Sequence, residues 1–240
     1  MSQIKLREQA YDAFTRHLLD RRLLPGQFVS QRELADRTSM SLAAIREMIP
    51  RLEAEGLIRA INQRGLQIVH VDLQMVIDAF QLREMIETTA IVAFVRKAPA
   101  EEVEAHAGLL DRLLEQTGDG SAVPPALLEE AQRADWALHD AFVATLGNRI
   151  LADIHRVNSI RIRMILQERI SITRPRMPST LQQHKAILDA IRARDEVAAV
   201  SALKAHLASS RERALGFEPF DDTPAPRPAG QEEKEPGASS

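Results

Sequence analysis

The side chains best suited to chemistry in this 240-residue chain are one aspartate and three histidines. Asp135 and His139 lie in the stretch Ala134-Asp135-Trp136-Ala137-Leu138-His139-Asp140-Ala141-Phe142. They stand four positions apart, so a helix there projects both from one side, among Leu128, Leu138, Phe142 and Leu146. His184 falls beside Ile187, Leu188 and Ile191, and His206 beside Leu203 and Leu207. A carboxylate with three neutral imidazoles is a donor set for a divalent transition metal: the imidazoles suit zinc, nickel, iron or copper, and the aspartate offsets part of the charge. A plainer explanation stands beside it. Asp–His pairs one turn apart are common on helix surfaces, and a histidine on an apolar face is often a hydrogen-bonded core residue.

The elements that must position these residues are helical. From about 72 to 214 the apolar periodicity marks six helices, at about 72–97, 100–116, 123–146, 149–171, 179–193 and 196–214. Breaks fall at Pro99, Gly118 to Gly120, Gly147-Asn148, Pro175 to Pro178 and Arg194-Asp195. Six such helices can enclose a cavity. Two arginines fall on stripes that read as inward: Arg83 with Val76, Phe80, Ile86 and Ala90, and Arg161 with Ile150, Ile154, Val157 and Met164, bordered by Asn158. An inward arginine needs an anion, either the carboxylate of a bound effector or an internal partner such as Glu84, Glu87 or Glu168.

The first 70 residues read differently. Ile4, Ala10, Tyr11, Phe14, Leu18 and Leu19 share a helix face over 4–23, ending before Pro25-Gly26. Ser30 with Glu33 three residues on is a capping-box pattern opening a short helix over about 31–37, and Ser41 opens another over about 42–55 that stops at Gly56. Leu57 to Ile61 and Leu66 to Val69 then flank Asn62-Gln63-Arg64-Gly65, a strand, turn and strand. Three helices and a hairpin give a winged helix-turn-helix outline, whose third helix would lie in a major groove. Charge agrees: residues 1–70 carry a net +3, 71–215 a net −2 and 216–240 a net −4, so the positive excess sits where phosphate would be met.

With these residues in view, positions 15–70 resemble the N-terminal domain of the GntR family of bacterial transcription regulators, through Leu24-Pro25-Gly26, Arg32-Glu33-Leu34-Ala35, Ile45-Arg46-Glu47, Leu52, Glu55-Gly56-Leu57-Ile58 and Gly65. Positions 72–214 resemble the helical FCD domain of the FadR subfamily, through Leu82-Arg83-Glu84 with Glu87, the Asp135/His139 pair, Gly147-Asn148, His184 with Ile187 and Ala190, and His206. Six helices rather than seven suggest the VanR-type branch. The resemblance implies a mainly α fold: a winged helix-turn-helix over 1–70, a six-helix FCD bundle over 72–214, and a tail over 216–240 that its proline-rich acidic composition makes disordered. It also implies that Asp135, His139, His184 and His206 ligate a metal, zinc before nickel, manganese or iron; with the metal in the cavity, the inward stripes favour Arg83, Asn158 and Arg161 as contacts of a small organic acid over an internal salt bridge. A homodimer bound to operator DNA is implied as well.

For DNA the resemblance points to Arg32, Ser41, Arg46, Arg64 and Gly65, with a departure. Where family members place an arginine and a hydroxyl residue after the capping serine, this chain has Leu42 and Ala43. Leu42 cannot make an arginine's bidentate guanine contact, so operator preference should differ from the family's.

Other classes recede. Without cysteine there is no disulfide framework, thiolate zinc finger or cysteine nucleophile. No apolar run nears the roughly 18 residues of a membrane span, and Lys5, Arg7 and Glu8 do not suit a signal peptide. A cytoplasmic repressor is the expectation. The alternative is a hydrolase whose metal activates water, with Glu84, Glu87 or His155 as general base.

Overall fold

The computed structural model describes residues 3–118, 123–169 and 177–216. The tail expected to be disordered lies, beyond Gly216, outside the described residues, as do parts of the breaks around Gly120 and Pro175 and the side chain of Glu168. Nine helices and three strands are formed among the described residues. The head holds α1 (Gln3–Leu19), β1 (Phe28–Val29), α2 (Gln31–Thr38), α3 (Leu42–Ala54), β2 (Ile58–Ile61) and β3 (Gly65–Ile68). Six long helices follow: α4 (Leu73–Lys97), α5 (Ala100–Thr117), α6 (Pro125–Ala144), α7 (Arg149–Arg169), α8 (Met177–Arg192) and α9 (Glu196–Ala214).

Local chemistry explains the head. Ser30 accepts from the Glu33 amide at 3.1 Å and Ser41 from the Ala44 amide at 3.2 Å, so both short helices start at capped serines. The capping box is only half made: the Glu33 carboxylate turns to Arg37, 2.7 Å away, instead of back to Ser30. The hairpin pairs Ile58 with Ile68 and Ile61 with Gly65, which places Gly65 in β3 and not in the turn. β1 adds a third strand beside β3, giving the order β1-β3-β2. Two residues are too few to show an alternating pattern, so no periodicity announces it. Gly26 is required as glycine: its φ is +77°, and a Cβ there would lie 2.3 Å from His70 Cε1.

Two apolar clusters hold the chain together. One joins Phe14, Leu18, Leu34, Ile45, Met48 and Leu52 of the head to Val76, Phe80, Ile162 and Ile165 of α4 and α7, so head and bundle share buried surface. The other fills the far end of the bundle with Phe94, Leu113, Phe142, Ile187, Leu203 and their neighbours.

A polar latch accompanies the first cluster. Tyr11 Oη donates to Glu55 Oε2 at 2.5 Å, Arg156 of α7 donates to Tyr11 Oη at 2.6 Å and to Glu55 Oε1 at 2.9 Å, and Arg51 donates to Glu55 Oε1 at 3.0 Å. Glu55 caps the end of α3, so the latch ties that helix to α7. Burial would raise the Glu55 carboxyl, but hydrogen bonds from Tyr11, Arg156 and Arg51 outweigh it and hold the group below its ordinary value. Burial and Glu55 push the Tyr11 hydroxyl up to about 12, so it stays a donor.

A carboxylate with a lowered folded pKa stabilises above its unfolded pKa, and that contribution disappears as pH falls through the folded one. Glu55→Gln is therefore expected to lower the melting temperature near neutral pH by about 2–4 °C, the scale of 1 kcal/mol for a partly screened pair. The deficit relative to the wild type should narrow as pH falls below the ordinary carboxylate range. Melting curves at pH 7 and pH 3.5 check both halves.

Candidate metal centre

Three bundle helices bring the four candidate ligands together. Asp135 and His139 stand one turn apart on α6, His184 is on α8 and His206 on α9. All four are buried, at 8%, 3%, 2% and 2% exposure. One donor atom from each lies within 4.8 Å of the other three. The imidazole rings crowd together, His184 and His206 with centroids 4.4 Å apart, and His139 5.4 and 5.7 Å from them.

Outer partners set the tautomers. Glu87, itself buried on α4, accepts from His139 Nδ1 at 2.6 Å, while Arg83 Nε donates to its other oxygen at 2.8 Å. Gln183 Oε1 takes the Nδ1 proton of His206 at 3.0 Å. In both rings the lone pair is thereby left on Nε2. His139 Nε2 and His184 Nε2 are buried and have no hydrogen-bond partner among the described residues, although Asp135 Oδ1 comes within 3.9 and 3.0 Å of them. The 3.0 Å approach sets the Asp135 carboxylate directly beside the His184 ring. Buried imidazole nitrogens gathered around one carboxylate are what a cation would satisfy.

Electrostatics agree. Burial drives the His139 and His206 rings toward their neutral, ligating form, His206 strongly so because His184 and His139 crowd it. Burial alone would raise Asp135, but His184, with His139 and His206, overrides this and holds the carboxyl well below the ordinary range. Glu87 is kept ionised in the same way: Arg83 and His139 outweigh its burial.

Of the three residues expected to contact an effector, Arg83 and Asn158 reach the centre's surroundings and Arg161 does not. Arg83, 6% exposed, is paired with Glu87, so the internal-partner alternative is realised. Asn158 donates to the Ala79 carbonyl at 3.0 Å and keeps a buried Oδ1 without a hydrogen-bond partner. Both line a small cavity with His139, His155 and Arg163. Arg161 instead donates to the Glu55 carbonyl of the head.

The reason is the rotation of α7. Ile150 and Ile154 are 73% and 41% exposed, while His155, Asn158, Ile162 and Ile165 face inward. The isoleucines suggested one stripe; the packing chose the adjacent one. His155, named from the sequence only as a general base for the hydrolase alternative, stands 3.7 Å from Glu87 Oε1, and the spacing of 155, 158, 162 and 165 carried the signal for that inward stripe. Arg163, which donates to Asp140 at 3.2 Å and lies 4.4 Å over Trp136, was missed.

Among the described residues the space beside the cluster is small. It measures about 10 Å³ beside Arg83 and Asn158 and about 20 Å³ on the side of His106, Asp135 and His184, each on the scale of one water.

Glu87→Gln tests the outer partners. It keeps the shape but weakens the acceptor for His139 Nδ1, and we expect zinc affinity to fall about 10–100-fold with the fold intact. Calorimetric titration of zinc measures it.

In the head, Arg32, Ser41, Arg46, Arg64 and Gly65 are all exposed. Arg46 Nε reaches Gln31 Oε1 at 3.2 Å, and Arg64 lies 5.8 Å over Phe28. Gly65 has φ +88°, with the Val29 carbonyl 3.1 Å from where a Cβ would be.

Known proteins place this architecture. Residues 6–68 match the model of bacterial regulatory proteins of the gntR family, and residues 78–209 match the FCD domain. The chain is 26% identical to the HTH-type transcriptional repressor GlaR of Escherichia coli over 189 residues, covering 76% of this chain and 84% of that one. It is 24% identical to the galactonate operon transcriptional repressor of Escherichia coli over 220 residues, covering 81% and 93%. Among solved structures, Escherichia coli McbR/YncC superposes with a TM-score of 0.72 at 17% identity, covering 90% of this chain and 98% of that one. The Zn2+-bound FCD domain of TM0439 matches with a TM-score of 0.50 at 20% identity, covering 61% and 95%. A gntR-type head on a six-helix FCD bundle, in this order along one chain, makes the protein a member of the GntR family of transcriptional regulators with an FCD domain, and not an enzyme.

Proposed function

We propose that this protein is a cytoplasmic, homodimeric repressor that senses a small carboxylate metabolite at a metal held by Asp135, His139, His184 and His206. The observation that carries the reading is that buried cluster, with two unpartnered imidazole nitrogens, in a chain whose head is a DNA-binding type. Zinc is the first choice, because an Asp/His3 set suits it and a related FCD domain has been solved with Zn2+. The metal, when bound, would supply a Lewis-acidic position for one effector carboxylate. This chain's residues do the rest. Glu87 and Gln183 orient two imidazoles, and Arg83, Asn158 and Arg163 gather polar groups on one side of the cluster.

Repression and a carboxylate effector are supported by relatives named as repressors, one of them for the operon of galactonate, itself a carboxylate. No described helix is long and apolar enough to cross a membrane. Exposed Leu73 and Ile77 on α4, and Ile150 and Ile154 on α7, offer apolar surface to a second copy.

Gel retardation on the DNA upstream of its own gene tests the reading. Zinc-loaded protein should retard that DNA with salt-sensitive affinity, and galactonate-like sugar acids should release it. No retardation at low salt would sink it. A second reading has the metal purely structural, and the cavities of about 10 and 20 Å³ favour it. Under that reading His184→Ala lowers stability and leaves release by the acid unchanged.

A further inference from the structure

Head and bundle meet around a cleft that holds none of the four metal-ligand candidates, although it shares His155, Ser159 and Arg163 with the small cavity beside them. It encloses about 390 Å³ between Tyr11, Thr15 and Leu19 of α1 and Val143, Ala152 and Arg163 of α6 and α7. That volume is in the range of small-molecule sites, which favour domain junctions, whereas the cavities beside the metal cluster hold about one water each. Leu19, Val143 and Ile160 make its walls largely apolar.

Its charged groups are unequally committed. Arg156 is engaged by Tyr11 and Glu55, and Asp140 is shared by Arg163, at 3.2 Å, and His155, at 3.7 Å. Arg163 lines the cleft, and among the described residues its hydrogen bond is from Nη2 to Asp140, with the guanidinium braced over Trp136; its Nε is shut away from solvent, so the donor left for the cleft is Nη1. Unspent donor capacity on that fixed cation calls for an anionic oxygen. Asp12, at the rim, disfavours a second negative charge.

We propose that this cleft is a second ligand site, separate from the metal cluster, for a small organic monoanion with an apolar body. Its occupant touches α1 on one side and α7 on the other, beside the Tyr11–Glu55–Arg156 latch, so it biases how the head sits on the bundle without passing through the metal. The site rests on the packing of head against bundle and survives if the metal reading fails.

The probe is 8-anilinonaphthalene-1-sulfonate, titrated by fluorescence into the full chain, with the neutral N-phenyl-1-naphthylamine alongside. One saturable sulfonate site per chain is expected. Ala152→Phe and Thr15→Phe, which fill the cleft from opposite walls, should each weaken it at least tenfold; circular dichroism confirms folding, and either variant alone suffices. Arg163→Gln should weaken the sulfonate at least fivefold and leave the neutral probe within twofold. His184→Ala should leave both unchanged. Sulfonate binding that ignores both wall variants, or that follows His184→Ala instead, overturns the proposal.

Discussion

Replacing His184 by alanine is expected to remove the effect of zinc on this protein's stability. Zinc that binds only the folded chain adds about 4 kcal/mol when present at about a thousand times its Kd. For a chain of this size that raises the melting temperature by about 8–16 °C, at 2–4 °C per kcal/mol. His184 is one of four donors, and its Nε2 is one of the two with no hydrogen-bond partner. Its loss should therefore cost more than the 10–100-fold set by an outer partner such as Glu87.

The experiment separates two ways for a histidine to be buried. A core residue that merely packs would lower the melting temperature equally with zinc and with chelator. A ligand lowers it chiefly by abolishing the difference between the two. A zinc-dependent rise in His184→Ala as large as in the wild type would end the metal assignment.

The sequence carried the cluster because its spacing is local where it needed to be and helical everywhere else. Asp135 and His139 share a helix face by periodicity alone, and His184 and His206 each sit in an apolar stripe that could point only inward. Convergence of three helices on one point is a matter of packing, and only the resemblance to FCD domains anticipated it. Arg161 shows where pattern ran out. Two stripes on α7, turned by one position, both contain isoleucines, and nothing local says which faces the bundle. The choice is made by packing of α7 against α4 and α1, whose shared core takes in Ile160, Ile162 and Ile165 and leaves Arg161 to meet the carbonyl that ends α3. The latch at Glu55 was hidden for the same reason: Tyr11, Glu55 and Arg156 are separated by 44 and 101 residues, and no periodicity links them.

On the head, the largest expected effect belongs to Arg32→Ala combined with Arg46→Ala. Both guanidinium groups are exposed, on α2 and on α3. α3 is held by Ile45, Met48 and Leu52 packed on Leu34, none of which the truncations touch, so the head should stay folded. Arginine on a guanine edge is worth about 1–3 kcal/mol, and arginine on a phosphate lowers the salt dependence of log K by about one per contact. In the dimer proposed above, two heads on a near-palindromic operator would experience the loss twice, so binding should weaken by two or more orders of magnitude. Fluorescence anisotropy at two salt concentrations divides the cause. A loss that is the same on operator and unrelated DNA, with a flatter salt dependence, assigns the pair to phosphates. A loss confined to the operator assigns at least one to a base. With Leu42 and Ala43 where relatives of this type place an arginine and a hydroxyl residue, little else on the first turn of α3 can read a guanine, which raises the share carried by Arg46. Unchanged affinity in the double variant would remove α3 as the reading helix.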